Sequence, residues 1–184
     1  SYAASNPSSL PPRPIAAYIA SAEEIEIQCN DVFNRKQLNL IRTFMRITSG
    51  FEIIEESSQV IKLVNLLNIG ELPLRSSINR MYLQLTSIIR DVLLVIAGED
   101  IVLLSDVEDR EREIDSLRLL VARQVGALLE SHKVAAELGM DRRHALEHVN
   151  LASSYERMGD HAYQFALLVR DTENRPKLNL DSLP

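Results

Sequence analysis

The sequence contains no tryptophan, and Cys29 is its only cysteine. A lone cysteine excludes an internal disulfide and a thiolate zinc cluster, and it fits a reducing compartment. Because aromatic residues make up only 5% of the chain, the core is expected to be aliphatic, as in packed helices. The densest apolar run, residues 92–97, is far shorter than the roughly 20 residues needed to cross a bilayer. We therefore expect a cytoplasmic protein without membrane insertion.

Glycine-rich motifs and a basic charge balance are missing as well. With six glycines in the chain, there is no glycine-rich phosphate loop and no Gly-x-Ser-x-Gly motif, so nucleotide binding and nucleophilic catalysis find no support. The formal net charge of −6 argues against a mainly nucleic-acid-binding surface, which is normally basic. These absences argue against a nucleotide-dependent or nucleophilic enzyme and against a mainly nucleic-acid-binding protein.

Composition and periodicity divide the chain into four parts. Residues 1–14 are rich in serine and proline, which predicts a disordered lead or linker. Residues 15–70 predict a small α/β unit, residues 71–172 a helical bundle, and residues 173–184 a loose tail. The expected fold class is α+β, mostly α: an antiparallel three-helix bundle preceded by a small β-α-β-β unit.

Within the α/β unit, polar and apolar residues alternate at 24–28, which predicts a strand. The apolar stretch 15–20 is interpreted as a short strand or an edge segment. A helix is expected from a cap at Asn30 or Asp31 to about Thr48. The remaining strands form a predicted hairpin, residues 51–55 and 60–66.

The predicted helix of the α/β unit carries a basic strip opposite its apolar side, formed by Arg35, Asn39, Arg42 and Arg46. A strip of this kind can meet phosphate or nucleic acid. It is also the ordinary composition of a solvated helix face. The sequence leaves both interpretations open.

Three long helices are predicted after Pro73, a residue that suits the first turn of a helix. Apolar residues recur there at alternating steps of three and four, the spacing of a bundle seam. The first helix is expected to end at Gly98, the second to run from near Asp100 towards Leu138, and the third to start at a cap on Asp141. Short connections between them indicate an up-down-up bundle.

Two acidic pairs lie on the second and third helices, each one helical turn apart: Glu111 with Asp115, and Glu156 with Asp160. Like charges at this spacing repel one another, and a multivalent cation between them would turn that repulsion into binding. Carboxylate oxygens suit Mg²⁺, Ca²⁺, Mn²⁺ or iron. Small residues such as Gly159 let the two helices come close, so we predict that the pairs face each other. On spacing alone, solvated surface acids are the alternative interpretation.

Histidine spacing weakens the case for a di-metal carboxylate enzyme. Such bundles usually contain Glu-x-x-His motifs, yet Gly159 stands three residues after Glu156. The enzyme is therefore the less favoured alternative. His161 is interpreted either as a ligand or as a packed or solvated residue. Asp91 is interpreted either as a further ligand or as an exposed acid paired with Arg90.

The third helix contains YERMGDHA at 155–162, which resembles the signature of the PhoU family. In that signature an acid and an aspartate four residues apart enclose Arg-x-Gly/Ala and precede His-Ala. The second helix contains EREIDSL at 111–117, which resembles the family's matching acid-x-x-x-Asp segment. The resemblance covers about Leu72 to Arg170. PhoU proteins usually carry two three-helix repeats, whereas this chain has room for one.

The first third, with GFEIIEE at 50–56 and a later helix containing NRM at 79–81, resembles a region of archaeal proteins. Those proteins fuse an AbrB-type DNA-binding segment to a PhoU domain. No AbrB-type segment is recognised in this sequence, so nucleic-acid binding is expected only if one lies upstream of Ser1. The chain would then be the sensing and dimerising part of a DNA-binding transcriptional regulator.

The resemblance implies regulation of phosphate uptake and phosphate-responsive signalling by a cytoplasmic adaptor, without catalysis. The implied partners are a phosphate-transporter ATPase subunit or a signalling protein. Metal ions, divalent or iron-type, are implied at Glu111, Asp115, Glu156 and Asp160. Because a single repeat supplies one set of these acids, the resemblance also implies a homodimer that completes a metal cluster.

Overall fold

The computed structural model describes residues 12–69 and 72–171, which form an α/β unit followed by a helical bundle. The predicted fold class is confirmed, with one helix added at the start. Most of the predicted lead, residues 1–11, and the predicted tail lie outside the described residues. The helices and strands are, in chain order, α1 (Pro12–Ile19), β1 (Glu24–Gln28), α2 (Arg35–Ile47), β2 (Phe51–Glu56), β3 (Val60–Asn65), α3 (Leu74–Ala97), α4 (Val107–Glu130), α5 (His132–Glu137) and α6 (Arg142–Asp171).

The segment 15–20 was predicted as a strand or an edge segment, and this is wrong, because it belongs to α1. Tyr18 is fully buried, and Ile15 and Ile19 pack against the same core cluster. A spacing of i, i+3, i+4 places all three on one face of a helix rather than a strand. α1 begins at Pro12, so the predicted disordered lead is also too long by three residues.

α2 begins later than predicted, because Asn34 caps it rather than Asn30 or Asp31. The Asn34 side chain accepts a hydrogen bond from the Gln37 N–H at 3.0 Å. The Gln37 side chain accepts one from the Asn34 N–H at 2.9 Å. This reciprocal pair is a capping box, and it fixes the start of the helix.

The three strands form an antiparallel sheet in the order β1-β3-β2, which confirms the predicted strands and hairpin. Ile25 and Ile27 of β1 stand opposite Leu63 and Ile61 of β3. These residues share one core cluster with buried side chains of α1 and α2. One face of the sheet is therefore covered by these two helices.

α3, α4 and α6 pack against one another around an aliphatic core. Gln84 of α3 contacts Glu113 of α4, and Asp91, further along α3, contacts Arg110, which comes earlier in α4. These two helices are therefore antiparallel. Along α4 and α6, Ile114 lies against Gly159 and Arg118 against Glu156, so α6 reverses direction again and is parallel to α3, as an up-down-up bundle requires. No described helix combines the length and apolar character needed to cross a membrane.

The second bundle helix, predicted from near Asp100 to Leu138, is interrupted twice. The Asp100 carboxylate accepts a hydrogen bond from the Val102 N–H at 2.9 Å, and this cap starts a separate 3-10 turn before α4. Ser131 ends α4, and its hydroxyl caps α5. The break before α4 falls at Asp106, which makes no side-chain cap, and the Ser131 cap makes the second break.

The connection to α6 follows the sequence prediction. Gly139 follows α5 with a φ of 60°, the left-handed conformation that glycine adopts most readily. Asp141 Oδ1 then accepts hydrogen bonds from the N–H groups of Arg143 and His144 at 2.9 and 3.0 Å. The predicted stop of this helix at residues 175–176 lies outside the described residues.

The α/β unit is held on the bundle by Arg123 of α4, a buried residue that sequence patterning did not single out. Its Nη1 donates hydrogen bonds to the carbonyl oxygens of Tyr18 at 2.7 Å and Ala22 at 3.1 Å. The guanidinium carbon also lies 4.9 Å from the centre of the Tyr18 ring, a cation–π contact. Burial lowers the pKa of Arg123 below its ordinary value.

Gly126 marks the closest approach of α4 to α1, because an added Cβ would lie 2.5 Å from the carbonyl oxygen of Ile19. We expect Gly126→Ala to lower the free energy of unfolding by about 1–3 kcal/mol, as overpacking does. The opposite sign would follow from helix propensity alone, which favours alanine by about 1 kcal/mol. Chemical denaturation measures the change.

Gly159→Ala is the matched control, since Gly159 also lies inside a long helix. Its added Cβ would meet side-chain atoms of Ile114, with Cδ1 at 3.2 Å, Cγ2 at 3.4 Å and Cβ at 3.9 Å, and no backbone oxygen of a neighbouring helix. We expect a change within about 1 kcal/mol. Equal destabilisation by both substitutions would contradict a special backbone contact at Gly126.

Candidate metal centre

α4 and α6 lie close together where Ile114 packs over Gly159. Ile114 is buried, and an added Cβ on Gly159 would lie 3.2 Å from Ile114 Cδ1. The side chain of Ile114 thus fills the space that glycine leaves free. The polar residues that flank this contact on the two helices are consequently brought into one groove.

Three of the four predicted ligands lie together in this groove. Glu111, Asp115 and Asp160 each offer one carboxylate oxygen, and these three atoms lie within 4.8 Å of one another. Glu111 and Asp115 are half-buried, whereas Asp160 is exposed. We call these three residues the acidic group. Two helices therefore present three carboxylates around one point at the surface.

The crowding raises the pKa values of two members of the acidic group. Burial is the largest cause for Glu111, and the charges of Asp115 and Asp160 add to it, so its pKa rises from 4.5 to about 7. Burial, Asp160 and Glu156 raise the pKa of Asp115 from 3.8 to about 6. Near neutral pH the group therefore carries less negative charge than three isolated acids would.

Glu156, the fourth predicted ligand, lies beside the acidic group rather than within it. Its Oε1 is 3.6 Å from the Nε of Arg118. Its charge helps to raise the pKa of Asp115, while the Arg118 guanidinium lowers the same pKa. Ligation by Glu156 stays a prediction.

The other sequence candidates have different neighbours. Asp91 is buried, and its Oδ2 accepts a hydrogen bond from Arg110 Nη1 at 2.7 Å, while Arg90 Nε lies 3.7 Å from Asp91 Oδ1. His161 is exposed on α6. The pairing of Asp91 with Arg110 depends on the register of α3 against α4, which the sequence alone does not give.

Arginines near the acidic group are already engaged with other acids. Arg112 Nη1 lies 3.1 Å from Asp109 Oδ1, and its other terminal nitrogen contacts Glu108. Arg118 is directed to Glu156. The negative charge of the acidic group is thus balanced only at its edge, which favours a cation from solution.

The basic strip predicted on α2 is exposed at all four positions, Arg35, Asn39, Arg42 and Arg46. Arg46 Nη2 donates a hydrogen bond to the Thr43 hydroxyl at 3.1 Å. The first turn of α2 contains no acidic residue. The strip is therefore open to solvent, as both interpretations of the sequence require.

The donor set of the acidic group fits a hard cation. Carboxylate oxygens are the preferred protein ligands of Mg²⁺, Ca²⁺ and Mn²⁺, and carboxylate bundles also hold iron. The three oxygens come from two helices and converge on one point.

The fold and the groove define a helical-bundle protein with a carboxylate group and no nucleophile motif. Residues 78–169, half of the chain, match the family model described as PhoU domain. The chain belongs to the PhoU family, as the sequence resemblance predicted. No curated protein and no solved structure gives a significant match to it. Membership associates the chain in general terms with the regulation of phosphate transport. The family is regulatory rather than enzymatic.

The raised pKa values predict how the stability of the metal-free protein depends on pH. A carboxyl group with a raised pKa binds more protons folded than unfolded, so stability falls as pH rises between the two values. For Glu111 and Asp115 that range runs from about 4 to about 7. Since solvent screens half-exposed groups, we expect a loss of about 1–3 kcal/mol between pH 5 and pH 8.

Urea denaturation at both pH values, with a chelator present, measures this loss. The Glu111→Gln/Asp115→Asn variant should keep nearly the same stability at both values, because the two titrating groups are gone. A wild-type protein whose stability changes no more than that of the variant would contradict the electrostatic account of the acidic group.

Proposed function

We propose that this protein regulates phosphate uptake and phosphate-responsive signalling as a metal-binding adaptor in the cytoplasm, without catalysis of its own. The main support for metal binding is that the carboxylates of Glu111, Asp115 and Asp160 converge from two helices. Family membership supports the phosphate-related role. The proposal adds the metal, the adaptor role and the location to that general role.

Glu111, Asp115 and Asp160 would hold the ion, with Glu156 as a neighbouring fourth acid. When bound, a divalent or iron-type ion supplies positive charge that cancels the repulsion among the carboxylates. Arg118 positions Glu156 by an ion pair at 3.6 Å. The bundle itself supplies rigidity, because the acidic group is built on helices rather than on loops.

Metal binding at this group competes with protons. The pKa of Glu111 is raised to about 7 and that of Asp115 to about 6, and a carboxylate must be deprotonated to bind a metal ion. Apparent affinity should therefore increase as pH rises from 5 to 8. A regulatory surface whose charge depends on bound metal is suited to recognition by another protein.

The proposed partner is the ATPase subunit of a phosphate transporter or a signalling protein. The adaptor interpretation agrees with the absence of a nucleophile motif in the sequence and with the exposed position of Asp160 in the acidic group. A partner can reach this surface without any rearrangement of the bundle.

Metal analysis of the purified protein tests the site. We expect Asp115→Asn/Asp160→Asn to lose most of the bound metal, because two of three converging ligands are removed. Asp109→Asn/Glu130→Gln removes two exposed acids of the same helix α4 and should retain it. Glu156→Gln, analysed separately, decides whether Glu156 is a ligand. Equal metal content in the first variant and the wild type would refute the site.

Binding to a purified phosphate-transporter ATPase subunit tests the adaptor role. We expect binding by the metal-loaded wild type and at least tenfold weaker binding by Asp115→Asn/Asp160→Asn. Asp109→Asn/Glu130→Gln should bind like the wild type. Absence of binding by metal-loaded wild-type protein would count against the ATPase as partner, and turnover of phosphoester or oxidase substrates would favour the di-metal enzyme instead.

A second candidate function, part of a DNA-binding regulator, is favoured by the exposed strip on α2. If the strip contacts phosphates, Arg35→Gln/Arg42→Gln/Arg46→Gln should weaken binding to duplex DNA and reduce its salt dependence. Fluorescence anisotropy at several salt concentrations measures both. Equal binding by variant and wild type would leave the strip as a solvated helix face.

A further inference from the structure

The three grooves between the bundle helices expose different chemistry. Charged contacts such as Arg110–Asp91 cross the groove between α3 and α4, and the groove between α4 and α6 holds the acidic group. The groove between α3 and α6 presents large apolar side chains instead. Six of them, each between 39% and 51% exposed, form what we call the α3/α6 face: Tyr82, Ile89, Leu93, Leu151, Met158 and Phe165.

These six side chains form two stripes that run side by side. Tyr82 and Ile89 are seven residues apart on α3, and the three residues on α6 also follow at steps of seven. A step of seven keeps a stripe on one side of its helix. The ring centres of Tyr82 and Tyr155 are 6.1 Å apart, which places Tyr82 level with the part of α6 between Leu151 and Met158. The two stripes therefore run next to each other along the groove.

We propose that the α3/α6 face is the contact surface of a homodimer, in which a second copy of the chain packs its own α3/α6 face. Apolar patches of a few hundred Å² on a soluble protein commonly mark interaction sites. With about 200 Å² for a large side chain, the six residues offer roughly 500 Å² per subunit. That is most of the roughly 800 Å² that each partner buries in a standard interface.

Charges at the two ends of the α3/α6 face favour a dimer in which the α3 helices of the two copies are antiparallel. Arg75 lies seven residues before Tyr82, on the same side of α3, and is exposed. Glu99 and Asp100, both exposed, follow the other end of α3. Two copies related by a two-fold axis across the helices place Arg75 of one copy near the two acids of the other, at both ends. Such self-complementarity is what an isologous dimer requires.

The α3/α6 face and the acidic group lie on opposite sides of α6. A step of two residues rotates a side chain by about 200° around a helix, so Met158 is directed away from both Glu156 and Asp160. The dimer therefore leaves both acidic groups facing outward. A second copy bound in this way adds no ligand to either acidic group. The family resemblance, in contrast, implied a homodimer that completes a metal cluster.

Light scattering and sedimentation equilibrium of the full chain test the face. We expect the wild type at twice the chain mass of 20.8 kDa, and Met158→Glu/Phe165→Glu with a dissociation constant at least a hundredfold higher. Leu83→Glu/Leu94→Glu places the same charges on exposed positions of α3 outside the face and should remain dimeric. Circular dichroism confirms that both variants are folded.

A charge exchange tests the orientation of the two copies. Arg75→Glu should weaken the dimer by about tenfold, and adding Glu99→Arg should restore it. A wild type that is monomeric at 100 µM, or a control variant as monomeric as Met158→Glu/Phe165→Glu, would overturn the proposal. Asp115→Asn/Asp160→Asn should stay dimeric, so loss of metal binding and loss of the dimer are separate results.

Discussion

Repulsion among three carboxylates is the interaction on which this account depends. Glu111, Asp115 and Asp160 come from two helices, and their oxygens lie within 4.8 Å of one another. The packing of Ile114 over Gly159 brings them together, and the aliphatic core of the bundle supplies the free energy that holds them there. Burial first, and then this repulsion, raise the pKa values of Glu111 and Asp115, so protons relieve part of the repulsion in the metal-free state. A multivalent cation would relieve it more completely.

Different sides of the bundle are covered by other parts of the protein or remain accessible. Buried Arg123 holds the end of α1 against α4 through two carbonyl oxygens, so that side of the bundle is covered by the α/β unit. The pair Asp91–Arg110 ties α3 to α4. The acidic group and the α3/α6 face remain accessible, and α6 contributes to both from opposite sides. One helix can thus serve two interactions that do not compete.

Much of the architecture follows from local sequence signals. The step of three and four predicted the bundle seams, Asp141 predicted the start of α6, and alternation predicted the strands. The convergence of the acids was also accessible, because Gly159 lies between Glu156 and Asp160 on one turn of α6, and Glu111 and Asp115 lie one turn apart on α4. Each of these signals is contained within one or two turns of chain.

The misses came from contacts between distant parts of the chain and from local caps that competed with longer patterns. Residues 15–19 lie in α1, and the burial of Tyr18 there depends on Arg123, a contact across 105 residues that the sequence does not show. The long helix towards Leu138 is divided at Asp106, before α4, and by the cap at Ser131, after it. The position of Glu156 beside Arg118 depends on the rotation of α6 relative to α4, which periodicity does not fix.

Proton release on metal binding tests the central claim most directly. At pH 6.5 most of Glu111 and part of Asp115 carry a proton, so titration with Mn²⁺ should release about one proton per chain. At pH 8.5 it should release almost none, and calorimetry in buffers of different ionisation enthalpy measures both values. Binding with no proton release at pH 6.5, or with equal release from Asp115→Asn/Asp160→Asn, would contradict a cation site at the acidic group.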